Sequence, residues 1–492
     1  MDYVLGLDIG TSGAKVLLVE ENGKIVGSAS RSYLPDFGAN GYVEQDPAIW
    51  WEAILGAIKD ILEKYPEAKG RVVALSASGQ MHSSVFLDSE FKVIRKAILW
   101  NDTRTTKQTK EIYEAVGGKQ ELLDSVCNLA LEGFTLPKIL WLRENEPESF
   151  ARVSKVVLPK DYINFMLTGE LVTEVSDAAG TLLFDVRKSE GAREVFDALK
   201  LDASMLPKAI SSTERVGVVK EELAKELCLA KDCVVIAGGA DNSCGGVGNG
   251  VINKGDAVIS VGTSGTVVAS LDEIPQRVDG SVHLFNYSVP DKFYAMGCML
   301  CAGEALNWLK RCFFEDLDMT QLNELANSSS CGANGLIFLP YLYGERTPHN
   351  NANAKGMFFG IKESHTKADF VRAVMEGVAY GIKDLYMAVS EFSEIENLYM
   401  TGGGAKSVLW KQIIADILGR EIEICDIEEG PSFGAALIAL VGCGRMKDMA
   451  EAKEKTFSIK ERIYPEEVKE YKKGYEIYRL LYNANKDVFK KM

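Results

Sequence analysis

Three apolar-rich runs of strand length open the chain, at residues 3–9, 14–20 and 24–30, and Glu21-Asn22-Gly23 separates the second from the third. An Asn-Gly pair between such runs is a strong hairpin signal, so the chain is expected to begin as an antiparallel meander within an α/β domain. The period then changes. From Pro47, with Asp46 as the expected N-cap, Trp50, Ile54, Ile58 and Ile61 recur at helical spacing and predict a packing helix.

Short apolar runs ending in small-residue turns follow. Residues 72–76 read as a buried strand leading into Ala77-Ser78-Gly79-Gln80-Met81-His82, and 96–99 as one leading into Trp100-Asn101-Asp102-Thr103-Arg104. Residues 234–237 lead into Gly238-Gly239-Ala240-Asp241-Asn242, and glycines 245, 246, 248 and 250 are expected to keep the backbone beyond unobstructed. Residues 397–400 lead into Thr401-Gly402-Gly403-Gly404-Ala405-Lys406. Ser407 then caps a helix with Leu409, Trp410, Ile413, Ile414 and Ile417 inward, ending at Gly419. After Pro465, Val468, Tyr471, Tyr475, Tyr478 and Tyr482 predict a packing helix. The stretch 105–230 carries no motif tied to catalysis.

In open α/β sheets ligands gather at the carboxyl ends of strands, which makes Gln80, His82, the 100–102 segment and Asp241 candidates. Plainer readings stand beside these. A lone histidine is more often structural, and an Asp at a strand end often caps the next helix. Three glycines before a helix can lay bare backbone against a flat or anionic group, or simply make a tight turn.

One tetrapeptide occurs twice, as Gly10-Thr11-Ser12-Gly13 and Gly262-Thr263-Ser264-Gly265, an offset of 252 positions (262 − 10) in 492 residues. Each copy lies between an apolar run and a β-branched run, which reads as two related halves. Glycines let backbone N–H groups reach an anion, and Thr and Ser hydroxyls add donors, so the chemistry suggested is phosphate binding. The alternative is a pair of ordinary hairpin turns. The second copy, and Asp8 before the first as a group that could hold a cation, favour phosphate.

Composition narrows the classes. With 47% hydrophobic and 25% charged residues the chain has the balance of a globular protein of two or three domains. Its net charge of −15 argues against a broad nucleic-acid surface but leaves a small anion held by amides. Met1-Asp2-Tyr3 lacks the flank of a signal peptide, and 433–443, the longest weakly polar run, is too short to span a bilayer. No membrane association and a cytoplasmic location are expected. Ten scattered cysteines suit reduced thiols, and a lone C-x-x-C at Cys298 and Cys301 with four histidines argues against zinc. The P-loop, G-x-G-x-x-G and H-E-x-x-H patterns do not occur.

Longer motifs carry a resemblance. Gly133-Phe134-Thr135-Leu136-Pro137-Lys138-Ile139-Leu140-Trp141-Leu142 and Gly356-Met357-Phe358-Phe359-Gly360-Ile361, followed by Asp369-Phe370-Val371-Arg372-Ala373-Val374-Met375-Glu376, resemble the two signatures of the FGGY carbohydrate kinases. Gln80-Met81-His82, Trp100-Asn101-Asp102, Leu158-Pro159-Lys160-Asp161-Tyr162, Ser176-Asp177-Ala178-Ala179-Gly180-Thr181 and Gly344-Glu345-Arg346-Thr347-Pro348-His349-Asn350 are most similar to its xylulose kinase branch. The resemblance covers nearly the whole chain.

It implies an α/β fold of two ribonuclease-H-like domains of the actin and hexokinase ATPase type, facing a central cleft. Residues 1–243 would mainly bind sugar and 244–492 mainly ATP. The implied reaction is ATP-dependent phosphorylation of a ketopentose, D-xylulose in the favoured case, with another ketose or polyol, or an actin-like ATPase switch, as alternatives. Asp241 matches the catalytic base and Asp8 the acidic residue near Mg²⁺. Gln80, Met81, His82, Trp100, Asn101, Asp102 and Asn242 fall on the sugar side. Thr11, Ser12, Gly13, Lys15, Gly262, Thr263, Gly402, Gly403, Gly404 and Ala405 fall on the ATP side. Ser83 and Ser84 stand where xylulose kinases often have Gly-Ala. Many members of the family form dimers, which leaves a homodimer open.

Overall fold

The computed structural model describes residues 1–427 and 429–492, with Asn40 by its backbone alone. The chain forms two compact units, one of Met1–Asn253, Ser270–Tyr294 and Glu429–Phe457, the other of Lys254–Ala269, Ala295–Glu428 and Ser458–Met492.

In the first unit β1 (Tyr3–Ile9), β2 (Gly13–Glu20) and β3 (Ile25–Ser32) form the expected antiparallel meander. The second hairpin closes through the Gly23 N–H, which donates to Glu20 O at 2.8 Å. On the other side of β1 lies β4 (Val72–Gly79), parallel to it. Beyond come the edge strand β5 (Arg215–Val218) and β6 (Val234–Ala240), in the order β5-β6-β4-β1-β2-β3. Both β4 and β6 run three residues past the ends expected from the sequence, at 76 and 237. Their last residues are small and carry no apolar alternation, and parallel pairing extends them, with Ile9 opposite Gly79 and Gly79 opposite Ala240. The strand expected at 96–99 is shorter, at Ala97–Ile98.

The helix Pro47–Lys64 is capped by Asp46, which accepts from the Ala48 N–H at 3.0 Å. Trp50, Ile54, Ile58 and Ile61 are fully buried against the sheet, each burial contributing about 1.5–3 kcal/mol. The helix Gly430–Gly442, late in the chain, belongs to this unit and packs on the helix Asp241–Gly248. The approach is close: a Cβ on Gly434 would lie 1.9 Å from Cys244 O, and one on Gly246 would lie 2.4 Å from the Tyr287 hydroxyl. Of the glycines expected to leave the backbone open, Gly248 is met by the backbone of the helix Gly430–Gly442, a Cβ there lying 2.1 Å from Gly430 O, and Gly246 and Gly250 are met by the rings of Tyr287 and Phe457.

In the second unit β7 (Asp256–Val261) and β8 (Gly265–Leu271) form a hairpin, β9 (Asn397–Thr401) lies parallel to β7, and β10 (Ile422–Cys425) parallel to β9. The edge strand β11 (Ile459–Ile463) is antiparallel to β10. The order β8-β7-β9-β10-β11 repeats β2-β1-β4-β6-β5 with the same directions. The repeated tetrapeptide therefore marks a repeated fold. Ser407 caps the helix Val408–Leu418 by accepting from the Trp410 N–H at 3.1 Å, and Gly419 ends it in the left-handed region. On that helix Leu409 is only half-buried, whereas the other four inward residues are buried. The last helix spans Lys469–Phe489, with Val468 just outside it and Tyr471, Tyr478 and Tyr482 buried. Among the described residues no helix is long and apolar enough to cross a membrane.

Candidate active site

Register builds the site. Because Ile9, Gly79 and Ala240 stand side by side at the ends of three parallel strands, the residues just beyond them share one edge of the sheet. These are the Gly10–Gly13 turn, Gln80-Met81-His82 and Asp241-Asn242.

The first turn is held from several sides. The Gly10 N–H donates to Gly13 O at 3.0 Å, and the Tyr33 hydroxyl donates to Gly10 O at 2.7 Å. Gln45 donates to Thr11 O at 2.9 Å, and its own amide oxygen accepts from the Trp50 indole at 2.8 Å. The Trp100 indole donates to the Thr11 hydroxyl at 2.8 Å, and Gln80 Nε2 donates to Gly10 O at 3.4 Å. Thr11, Gln80 and Trp100 are thus brought together. Tyr33 and Gln45 escaped the sequence reading, since no local motif marks them.

Asp241 is the first residue of its helix, and Ala240 occupies the cap position, so the reading of Asp241 as a helix cap does not hold. Its Oδ1 accepts from the Asn242 N–H at 2.7 Å and from Asn242 Nδ2 at 3.0 Å. Burial, with the charge of Asp8 added, pushes the Asp241 carboxyl up to about 7. Burial also raises Asp8 to about 6, opposed by the Lys15 ammonium. Lys15 stands opposite Asp8 on β2 and is ion-paired with Glu429 at the start of the helix Gly430–Gly442. Both carboxyls are thus held above the ordinary carboxylate range, and Lys15 opposes the rise at Asp8.

His82 adopts a left-handed backbone, φ 65°, and its Nδ1–H donates to Gly180 O at 2.6 Å. Its ring lies against Phe134, 4.2 Å between centroids. Its carbonyl accepts from Lys138 Nζ at 2.9 Å and from the Thr135 hydroxyl at 3.0 Å. Three residues of the first signature therefore fix this one histidine. Met81 Sδ takes long contacts of 3.7 Å from Asn242 Nδ2 and from the Tyr294 hydroxyl. Ser83 and Ser84 are fully buried, and Ser83 Oγ accepts from the Trp100 N–H at 3.1 Å, so these hydroxyls brace the loop from behind.

Asp102 is engaged elsewhere. Its carboxylate accepts from the Val43 N–H at 2.6 Å and from Arg104 Nη2 at 2.6 Å, and Arg104 lies over the rings of Tyr42 and Trp141 at 3.7 and 4.6 Å. The neighbouring Asn101 has a buried side-chain oxygen without a hydrogen-bond partner.

In the second unit the matching turn closes with the Gly262 N–H donating to Ser264 O at 3.0 Å. The following segment grips it: the Ala302 N–H donates to Thr263 O at 2.9 Å and the Gly303 N–H to Gly262 O at 2.8 Å. Gly402, at the end of β9, has φ +87°, and a Cβ there would lie 2.7 Å from Val261 O. Only glycine fits both demands. Gly403 to Lys406 then form a short 3₁₀ turn, with the Ala405 N–H donating to Gly402 O at 3.1 Å.

Comparison with known proteins agrees with this geometry. Residues 3–248 match the N-terminal domain of the FGGY family of carbohydrate kinases, and 257–443 match its C-terminal domain. A xylulose kinase of Lactococcus lactis subsp. lactis (strain IL1403) is 42% identical over 99% of this chain and 98% of its own length. Among solved structures, a ligand-bound xylulose kinase from Lactobacillus acidophilus is 28% identical with a TM-score of 0.94, covering 100% of both chains. A gluconate kinase from the same organism is also 28% identical with a TM-score of 0.94, over 100% of this chain and 99% of its own. The two-unit α/β structure is the fold of these kinases, with ATP as co-substrate and a small sugar as acceptor. This chain belongs to the FGGY family of carbohydrate kinases.

Proposed function

We propose that this protein transfers the γ-phosphoryl group of ATP to the terminal hydroxyl of D-xylulose, giving D-xylulose 5-phosphate and ADP, with Asp241 as the general base. The observation that carries this reading is the register of three strand ends, which sets Asp241, Asp8 and the Met81-His82 pair along one edge. The similarity to xylulose kinases over the whole chain supports the choice of sugar.

Phosphoryl transfer has a loose transition state, so the protein's work is to align the reactants and stabilise charge. Asp241 accepts the proton of the hydroxyl as its oxygen forms the new bond to phosphorus and the bond to ADP breaks. A carboxyl raised to about 7 is well matched to that task near neutral pH. Gln80, Met81, His82, Trp100, Asn101 and Asn242 would orient the sugar, while Asp102 holds the loop behind them through Arg104. Thr11, Ser12, Gly13 and Lys15, with Gly262, Thr263 and 402–405, would receive the nucleotide.

Asp8, half-buried beside the Gly10–Gly13 turn, suits Mg²⁺, which keeps most of its waters and takes its other ligands from phosphates. Asp8 would hold it through water, and the bound ion would neutralise charge on the phosphates. We place sugar binding mainly on 1–243, ATP binding mainly on 244–492, and the reaction in the cytoplasm, where ATP is supplied.

The test is initial ADP formation with ATP and Mg²⁺ across D-xylulose, D-ribulose, L-ribulose, L-xylulose, glycerol, gluconate and no sugar. Preference for D-xylulose over a low background is expected. Preference for another acceptor, gluconate included, replaces the substrate, and sugar-independent hydrolysis overturns the kinase reading.

A further inference from the structure

Behind the site lies a charge cluster with no part in the chemistry so far. Lys160, from the helix Pro159–Thr168, is surrounded by Asp161 at 2.6 Å, Asp177 at 3.3 Å and Glu174 at 3.7 Å, and none of these side chains is more than 1% exposed. One ammonium faces three carboxyls in the protein interior. Fully ionised, the group would carry two uncompensated negative charges, a heavy cost at such burial, so a proton is retained there.

Hydrogen bonding identifies its holder. Glu174 accepts from the Ser176 N–H at 2.9 Å, from Ser176 Oγ at 2.7 Å and from Ser212 Oγ at 2.5 Å. Asp161 accepts from Lys160 at 2.6 Å and from the Leu158 N–H at 3.3 Å. Asp177 has the ion pair with Lys160, and neither of its oxygens receives a hydrogen bond. It is the least compensated as an anion.

The cluster reaches the base by a short path. Lys160 faces Glu174, Glu174 accepts from Ser176 Oγ, and Ser176 Oγ accepts at 3.0 Å from the N–H of Ala240, the residue before Asp241. Lys160 also lies under Gly79, where a Cβ would meet its own Cβ at 3.2 Å, so it touches the end of the strand that leads to Met81 and His82.

We propose that Lys160 is a positioning residue for Asp241: it anchors the backbone one residue before the base through Glu174 and Ser176, and its charge, with a neutral Asp177, limits the negative field at the base. This rests on the reading of Asp241 as the general base. Charges facing Asp177 agree with it. Burial raises the Asp177 carboxyl well above its ordinary range, Lys160 opposes this, and Asp161, Glu174 and Asp241 add to it. Tyr294 feels both Asp177 and Asp241, and burial holds its phenol protonated. Asp8 already faces Asp241 from β1 and raises it, and because interaction between two titrating groups is mutual, an ionised Asp177 would add to that upward push.

The test is the pH dependence of kcat/KM for D-xylulose in the full-length enzyme, with the infrared band of protonated carboxyls recorded at neutral pH. Lys160→Met is expected to raise the midpoint of the acid limb by about one unit or more, a tenfold change in proton affinity. Adding Asp161→Asn to that variant should bring the midpoint back. Asp177→Asn should leave the midpoint in place and remove intensity from the protonated-carboxyl band. A Lys160→Met enzyme that loses turnover with its midpoint unmoved, or an Asp177→Asn enzyme with an unchanged band or a lowered midpoint, overturns the proposal. If Lys160→Met does not fold, the two Asp177→Asn readouts decide alone. Asp241→Asn, measured alongside, tests the base itself: retained turnover there sinks the base reading, while the infrared band reports on Asp177 independently.

Discussion

The indole N–H of Trp100 donates to the hydroxyl of Thr11 at 2.8 Å, joining a residue expected on the sugar side to the turn proposed to receive the nucleotide. Trp100→Phe keeps an aromatic ring and removes that one donor. A lost neutral hydrogen bond costs about 1 kcal/mol, so KM for ATP should rise about fivefold while KM for the sugar moves less. Initial-rate kinetics with each substrate varied in turn decide it, and the reverse pattern would return Trp100 to the sugar.

The pH profile should reflect Asp241. With its carboxyl at about 7, kcat/KM is expected to climb about tenfold per unit below that point and to flatten above it, as the ionised fraction saturates. In Asp241→Asn this limb should disappear and turnover fall by about 10² to 10⁴. Near-normal turnover in that variant removes Asp241 from the base role.

The same residue should weaken the fold at neutral pH. Its folded value of about 7 lies above the ordinary 3.8, so the native state binds the proton more tightly, and stability falls as pH rises from about 4 through about 7. Asp241→Asn should therefore melt higher than the wild type at pH 8, by an amount on the order of 1 kcal/mol or more, and alike at pH 4. Thermal denaturation at the two pH values measures this, and an equal effect at both would assign the change to packing.

Asp102 and Arg104 predict the opposite balance. Their ion pair is almost fully buried, and Asp102→Ala leaves Arg104 with Glu44 alone, at 2.7 Å, and the Val43 N–H without its acceptor, so it should cost about 1–3 kcal/mol, read as a lower urea midpoint. Enzyme that remains folded should keep its KM for sugar within a few-fold. A large rise in that KM with stability intact would place Asp102 on the substrate.

Much of this arrangement was legible beforehand, and the parts that were not share a cause. The meander, the Asp46 cap and the helix after Ser407 are local, written in turn residues and apolar spacing, and they appear where expected. The apolar pattern ends β4 and β6 short because Ala77-Ser78-Gly79 and Gly238-Gly239-Ala240 become strand only through partners far along the chain. Distance in sequence also hid Tyr33 and Gln45 at the first turn, and the helix Gly430–Gly442 that fills the space over the glycines after Asp241. The repeat was visible as a tetrapeptide, and the strand order gave it meaning.

That late helix bears on how the protein is made. The strands carrying Asp8, Gln80 and Asp241 leave the ribosome early, whereas their covering segment, Glu429–Phe457, comes only after the bulk of the second unit. Synthesis normally lets an N-terminal domain settle before the rest arrives, but here the first unit stays uncovered until the chain is nearly finished. Nascent chains halted before residue 429 should expose apolar surface around the Asp241 helix and call on chaperones, and activity should emerge only with the last part of the polypeptide.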